Sequence, residues 1–127
     1  MKPEFETAYN KAVDSFESAE LLFSHQRFTA MINRCYYALY YIVSTMVDER
    51  KNQHVKTHSG LIKIFSEEFI KNKKLPDSLL LILITAFEKR QFADYDFESC
   101  FSEEEAMELL LKTKYFLDII KSFLESL

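Results

Sequence analysis

The apolar residues between Phe28 and Met46 recur at alternating steps of four and three residues, and this spacing strongly constrains the fold. They are Phe28, Ile32, Cys35, Leu39, Ile42 and Met46. Such a spacing is typical of a helix with a coiled-coil-like seam. It predicts one long helix that runs from about Gln26 to Arg50.

The opposite side of this predicted helix is aromatic as well. At about 100° per residue, Tyr37, Tyr40 and Tyr41 project well away from the seam. A helix that is apolar around most of its circumference lies either at the centre of its bundle or in an oligomer interface. Because a bundle of 127 residues leaves little room for a fully enclosed helix, we predict a homodimer that packs through it.

Turn residues are scarce, since glycine occurs once and proline twice. Such scarcity favours long helices with few connections. Apolar spacing and cap signals give five helical segments. They are Pro3–Ser24, Gln26–Arg50, one from Ser59, one from Pro76 with Asp77 beside it, and one that opens with the capping-box pattern Ser102-Glu103-Glu104-Glu105. The chain is therefore predicted to be a single all-α domain over residues 1–127, an up-and-down bundle of four to five helices.

Several classes of protein and site are excluded by the residue pattern. The longest apolar run is broken by Asn33 and Arg34 and no apolar signal region opens the chain, so no membrane association is expected and a cytoplasmic location is predicted. Cys35 and Cys100 have no metal-ligand spacing, nor do the histidines. Free thiols are expected, with no metal and no cofactor. A net charge of −4 argues against a protein that binds nucleic acid over much of its surface, but it is compatible with a local basic patch.

Arg34 lies in the most apolar stretch of the chain, and its permanent charge needs a partner there. The helix from Pro76 offers Arg90 in line with its apolar face and Asp94 one turn later. A charge cluster of these three residues is predicted, with Tyr37 and Tyr95 available as hydroxyl donors. Two interpretations stay open: a structural ion pair, or two arginines that leave spare positive charge for a phosphate.

The segment Lys56-Thr57-His58-Ser59-Gly60 is the second candidate site. It precedes a predicted helix, where exposed backbone amides can receive an anion and glycine lets the backbone approach it. The alternative is a capped helix start in which Thr57 or Ser59 is the N-cap. In that case His58 points into solvent or caps a neighbour.

Three segments in this order and spacing resemble the small-protein branch of the HEPN superfamily (higher eukaryotes and prokaryotes nucleotide-binding domain). They are Asn33–Tyr40, Lys56–Ile62 with Phe65, and Arg90–Tyr95. The resemblance covers nearly the whole chain. It implies an up-and-down helical bundle that commonly dimerises. It also implies a minimal nucleotidyltransferase as partner, in toxin–antitoxin or defence modules.

Many HEPN members are metal-independent ribonucleases with an arginine, often a polar residue after it, and a histidine four to six residues further on. By this resemblance Arg90 takes the arginine position and Gln91 the polar one. Tyr95, Asp96 and Phe97 stand where the histidine is expected. Asp94 and Tyr95 are substitutes with unsuitable ordinary pKa values near pH 7. His58 is a further candidate that could enter the cleft from its own loop.

The sequence thus favours a dimeric module that binds a nucleotide, RNA or a nucleotidyltransferase as part of a toxin–antitoxin or defence system. The predicted binding residues are Arg34, Tyr37, Lys56, His58, Arg90, Asp94 and Tyr95. One alternative is a ribonuclease toxin in which Arg90 works with a non-standard acid or base, for which the candidates are Asp94, Tyr95 and His58. A second alternative is a structural helical adaptor.

Overall fold

The computed structural model describes residues 1–95 and 101–127, and in these ranges the chain forms helices without any β-strand. The helices are α1 (Pro3–Ser24), α2 (Phe28–Lys51), α3 (His58–Phe65), α4 (Asp77–Tyr95) and α5 (Glu103–Glu125), and a π-helical turn over Ser66–Ile70 continues α3. The predicted all-α bundle is confirmed. The expectations for Asp96, Phe97 and Cys100 lie outside the described residues.

Local signals account for where the helices begin. The Thr57 side chain is the N-cap of α3 and accepts a hydrogen bond from the Gly60 amide at 3.0 Å. Ser102 and Glu105 form the reciprocal capping box of α5. The predicted start of α2 was two residues early, because Gln26 adopts a left-handed backbone with φ of 60° and cannot belong to a helix.

The helix α2 lies at the centre of the bundle and packs against α1, α3, α4 and α5. Its buried residues lie mainly on one half of its circumference and are Met31, Ile32, Cys35, Tyr36, Ala38, Leu39, Ile42, Val43, Ser44, Met46 and Val47. The other half, which carries Arg34, Tyr37 and Tyr41, is only half-buried. As the sequence indicated, a chain of this length does not fully enclose the helix. The homodimer itself stays a prediction.

Within this core Cys35 is a free thiol, and its burial raises the pKa to about 12. A thiol held in the protonated form is a poor nucleophile, so it belongs to the packing and not to a reactive site. In the part of the chain that the structure describes, no helix is long and apolar enough to cross a membrane.

Candidate functional site

Arg90 on α4 lies against the aromatic side of α2, and its side chain is only 13% exposed. One terminal nitrogen donates to Asp94 Oδ2 at 3.0 Å and to the Tyr37 hydroxyl at 3.4 Å. The guanidinium carbon lies 5.0 Å from the centre of the Tyr36 ring and 5.7 Å from that of Tyr37. These contacts fix the side chain and neutralise most of its charge. Its Nε is buried and has no hydrogen-bond partner among residues 1–95 and 101–127.

Arg34 on α2 approaches the same tyrosine from a different side. Both its Nε and one terminal nitrogen donate to Asn33 Oδ1, at 3.1 and 2.7 Å. The guanidinium carbon is 5.3 Å from the centre of the Tyr37 ring. Within the described ranges no carboxylate oxygen lies within 4.0 Å of it. The expected pairing of Arg34 with Asp94 is thus wrong, since Asp94 bonds to Arg90 one helical turn before it on α4.

Arg34 and Asp94 nevertheless line one groove, with a volume of about 640 Å³. Arg27, Asn33 and Gln26 contribute further polar side chains to its lining. Since Arg90 already neutralises Asp94, the groove holds two guanidinium groups, of Arg27 and Arg34, that have no ion pair with a carboxylate of residues 1–95 or 101–127. Guanidinium groups bind phosphate and carboxylate in a planar, two-pronged geometry. The groove is therefore suited to an anion.

His58 is the first residue of α3. The capped helix start predicted as one alternative is present, with Thr57 as the N-cap, but His58 does not point into solvent. Its Nδ1 shares a hydrogen bond with the Tyr36 hydroxyl. Its ring lies against Phe87 with centroids 4.9 Å apart and against Tyr40 at 5.8 Å. Burial, and then the charge of Arg90, lower the pKa of His58 below its ordinary 6.5. The imidazole is consequently neutral at pH 7.

Tyr36 joins the histidine to the arginine, and the sequence did not single it out. It is 1% exposed, and burial raises the pKa of its hydroxyl while the charge of Arg90 opposes that rise. A buried tyrosine hydroxyl needs a hydrogen-bond partner. Tyr36 lies one helical turn before Tyr40, and the need of its hydroxyl for a partner was the signal available in the sequence. It would have pointed to a polar partner such as His58.

Two of the predicted residues are not part of this cluster. Tyr95 is 79% exposed at the end of the described part of α4. Lys56 is also exposed. Arg50 and Lys51, which precede Lys56 in the chain, share one counter-charge. Glu68 lies within ion-pair distance of both, at 3.0 and 3.5 Å. The cluster consists of Arg34, Tyr36, Tyr37, His58, Arg90 and Asp94.

Comparison with known proteins gives the family context of this site. The family model described as "HEPN domain" matches residues 5–123. A Methanocaldococcus jannaschii protein named "Putative toxin" is 36% identical over 98% of the chain and 84% of its own length. A second protein of that name from the same organism is 25% identical over 100% and 93%. A Thermotoga maritima "UPF0332 protein" is 33% identical over 92% and 88%.

Proposed function

Because this chain belongs to the HEPN domain family, we propose that it is a toxin-type module that binds RNA, or the phosphate of a nucleotide, in the groove beside Arg34. One observation carries the proposal: Arg34 and Arg27 face this groove, while Asp94, the one carboxylate among its described lining residues, is bonded to Arg90. A guanidinium without a carboxylate is a ready site for a phosphate. Two relatives named as putative toxins support the toxin part.

The tyrosines around the arginines support a nucleic-acid ligand over a simple anion. Tyr37 lies within 6 Å of both guanidinium groups, at 5.3 Å from Arg34 and 5.7 Å from Arg90. Cations next to aromatic rings are the combination that binds single-stranded nucleic acid, because phosphates meet the charge and bases meet the rings. The overall charge of −4 confines such binding to this local surface.

The test is a titration of a fluorescently labelled single-stranded 12-mer RNA with the wild type and with Arg34→Gln. The variant is expected to bind about tenfold more weakly, the effect of one phosphate contact made by a charged donor. Lys121→Gln changes the net charge equally at an exposed position of α5 and is the matched control. Equal affinities for all three proteins, or no binding by the wild type, would reject the proposal.

The dimer is proposed to form beside the same site. Phe92 and Tyr95 are large side chains on the turns of α4 that flank Asp94, and they are 50% and 79% exposed. Packing two copies through this end of α4 would bury both side chains and bring the two Arg90 clusters near each other. Sedimentation of the wild type and Tyr95→Ser checks it. We expect a wild-type dimer that is weakened in the variant, whereas a monomer at every concentration would refute this arrangement.

A second candidate function is RNA cleavage, and the position of His58 favours it. This function requires the tautomer in which Nδ1–H donates to the Tyr36 oxygen, because Nε2 of the neutral imidazole can then accept the proton of an RNA 2′-hydroxyl. Arg90 would stabilise the charge that develops on the adjacent phosphate. This arrangement replaces the histidine that the family's ribonuclease motif would place after Arg90.

Cleavage of single-stranded RNA in the presence of EDTA, together with growth arrest on expression, tests this second function. His58→Gln is expected to abolish both, and Tyr36→Phe to lower the cleavage rate and shift its pH profile. Cleavage that survives His58→Gln unchanged would eliminate His58 as the base. A wild type that binds RNA but neither cuts it nor arrests growth would leave the binding module as the function.

The partner is proposed to be a minimal nucleotidyltransferase, as the family's gene partnerships imply. Its gene is expected next to the gene for this chain, and the two proteins are expected to copurify after joint expression. If copurification fails and Arg34→Gln changes neither RNA binding nor growth, the structural adaptor becomes the better description.

A further inference from the structure

A second groove lies between α1 and α2, and the function proposed above does not use it. Its volume is about 540 Å³, and its lining includes Tyr40, Tyr41 and the exposed Lys11. The remaining lining residues are Glu4, Thr7, Ala8, Ser44, Thr45 and His54. The groove therefore combines two aromatic rings with hydroxyl groups from both helices.

The tyrosine rings connect this groove to the arginine cluster without a break. The ring centroid of Tyr37, which both arginines approach, is 6.0 Å from that of Tyr41 and 5.9 Å from that of Tyr40. Tyr40 and Tyr41 are themselves 6.2 Å apart. Only one ring thus separates the guanidinium groups from the groove. A ligand long enough to span two nucleotides can reach both.

The charge of the second groove differs from that of the first. Lys11 is opposed by Glu4 in the same lining, and His54 is held by the Asp48 carboxylate at 2.7 Å. The lining is consequently close to neutral and offers little to a phosphate. Aromatic rings and hydroxyl groups in a neutral groove are instead suited to a flat, polar, uncharged ring.

The group that lies over the ring of Tyr41 from α1 is a movable one. Lys11 Nζ lies 4.6 Å from the centre of this ring, and the lysine is exposed on α1. A lysine side chain on a helix surface has many rotamers, so it can leave the ring at small cost. When it leaves, the ring becomes available for stacking.

We propose that this groove holds a nucleobase of single-stranded RNA, stacked on Tyr41 beside Tyr40, while the phosphate of the neighbouring nucleotide lies at Arg34. The proposal rests on the RNA binding put forward above and makes its ligand a strand of at least two nucleotides. Stacking accepts any base, since every base has an aromatic face, so little sequence preference is expected. The exposed hydroxyl of Thr7 is a partner for the base edge, and that of Thr45, which donates to the Tyr41 carbonyl at 3.0 Å, can still accept a hydrogen bond.

The experiment compares two labelled single strands of equal length and charge: an oligoadenylate RNA and an abasic ribose-phosphate strand. Wild type is expected to bind the oligoadenylate about tenfold more tightly. Tyr41→Leu removes the ring and should erase this difference, while its affinity for the abasic strand stays unchanged. Tyr41→Phe is the matched control, keeps the ring and should behave as the wild type.

A second variant covers the case in which Tyr41→Leu fails to fold. Thr7 is exposed on α1, and Thr7→Trp would fill the groove with a neutral ring and should abolish the preference for bases in the same way. Equal wild-type affinity for the two strands would overturn the base site but leave phosphate binding at Arg34 intact. A wild type that binds neither strand would overturn the proposed function itself. A loss of dimer in Tyr41→Leu would overturn the base site by assigning the rings to a second copy of the chain.

Discussion

Two arginines approach the same tyrosine, yet their surroundings differ in almost every other respect. Arg90 is 13% exposed, bonds to the carboxylate of Asp94 and lies between two rings. Among the described residues, the Arg34 guanidinium bonds to the side-chain amide oxygen of its neighbour Asn33 alone, and it faces an open groove. The difference separates two roles. Arg90 holds α4 against α2, whereas Arg34 keeps its charge for a ligand.

The largest expected effect tests the structural half of this comparison. Arg90→Ala leaves Asp94 unpaired and removes packing from Tyr36 and Tyr37, so we expect the free energy of unfolding to fall by about 2 kcal/mol. Arg34→Ala, its matched control, should cost about 0.5 kcal/mol, because only an amide contact and a ring contact are lost. Urea denaturation measures both. Equal losses would remove the distinction between the two arginines.

The next prediction concerns a substitution that leaves Arg90, like Arg34, without a carboxylate partner. Asp94→Asn keeps the shape of the side chain but removes the charge that neutralises Arg90, so a second cation becomes available at the groove. Single-stranded RNA should then bind about threefold more tightly, provided that the variant remains folded by circular dichroism. Glu88→Gln on the same helix removes one exposed charge elsewhere and should change affinity less. An unchanged or weaker affinity in Asp94→Asn would show that the carboxylate supports the ligand site.

The smallest effect concerns pH and separates the His58 side of the cluster from Arg34. The pKa of His58 is lowered in the fold, so the unfolded chain binds a proton more readily on acidification. The free energy of unfolding should therefore fall as the pH drops through about 6.5. Above that value the titration of His58 should add nothing to its pH dependence. In His58→Gln the loss between pH 7.5 and 5.5 should be smaller than in the wild type, as thermal melts at each pH would show. Identical losses would place the histidine in solvent.

The fold was predictable because its signals are local. Apolar spacing fixed the extent of α1, and the capping box of Ser102 and Glu105 fixed the start of α5. The sequence left two places open for α2, the centre of the bundle or an oligomer interface, since its position depends on how four other helices pack against it. No residue pattern along a single helix states that arrangement.

The site was predictable only in part, for a similar reason. The residues Arg34, Arg90, Asp94 and Tyr37 were expected together, and the structure brings them together, but it pairs Asp94 with the arginine on its own helix. For His58 the sequence left several places open: the anion site, solvent, or a cap on a neighbouring element. Its actual partners, Tyr36 and Phe87, come from two other helices and could be seen only in three dimensions.

The most direct test of the central claim is the salt dependence of RNA binding by the wild type and Arg34→Gln. Each phosphate that a cation neutralises on a single strand contributes about 0.7 to the slope of log K against log salt concentration. We predict that the slope of the variant is shallower by about that amount, while Lys121→Gln keeps the wild-type slope. Equal slopes for the wild type and Arg34→Gln would contradict the assignment of Arg34 to a phosphate.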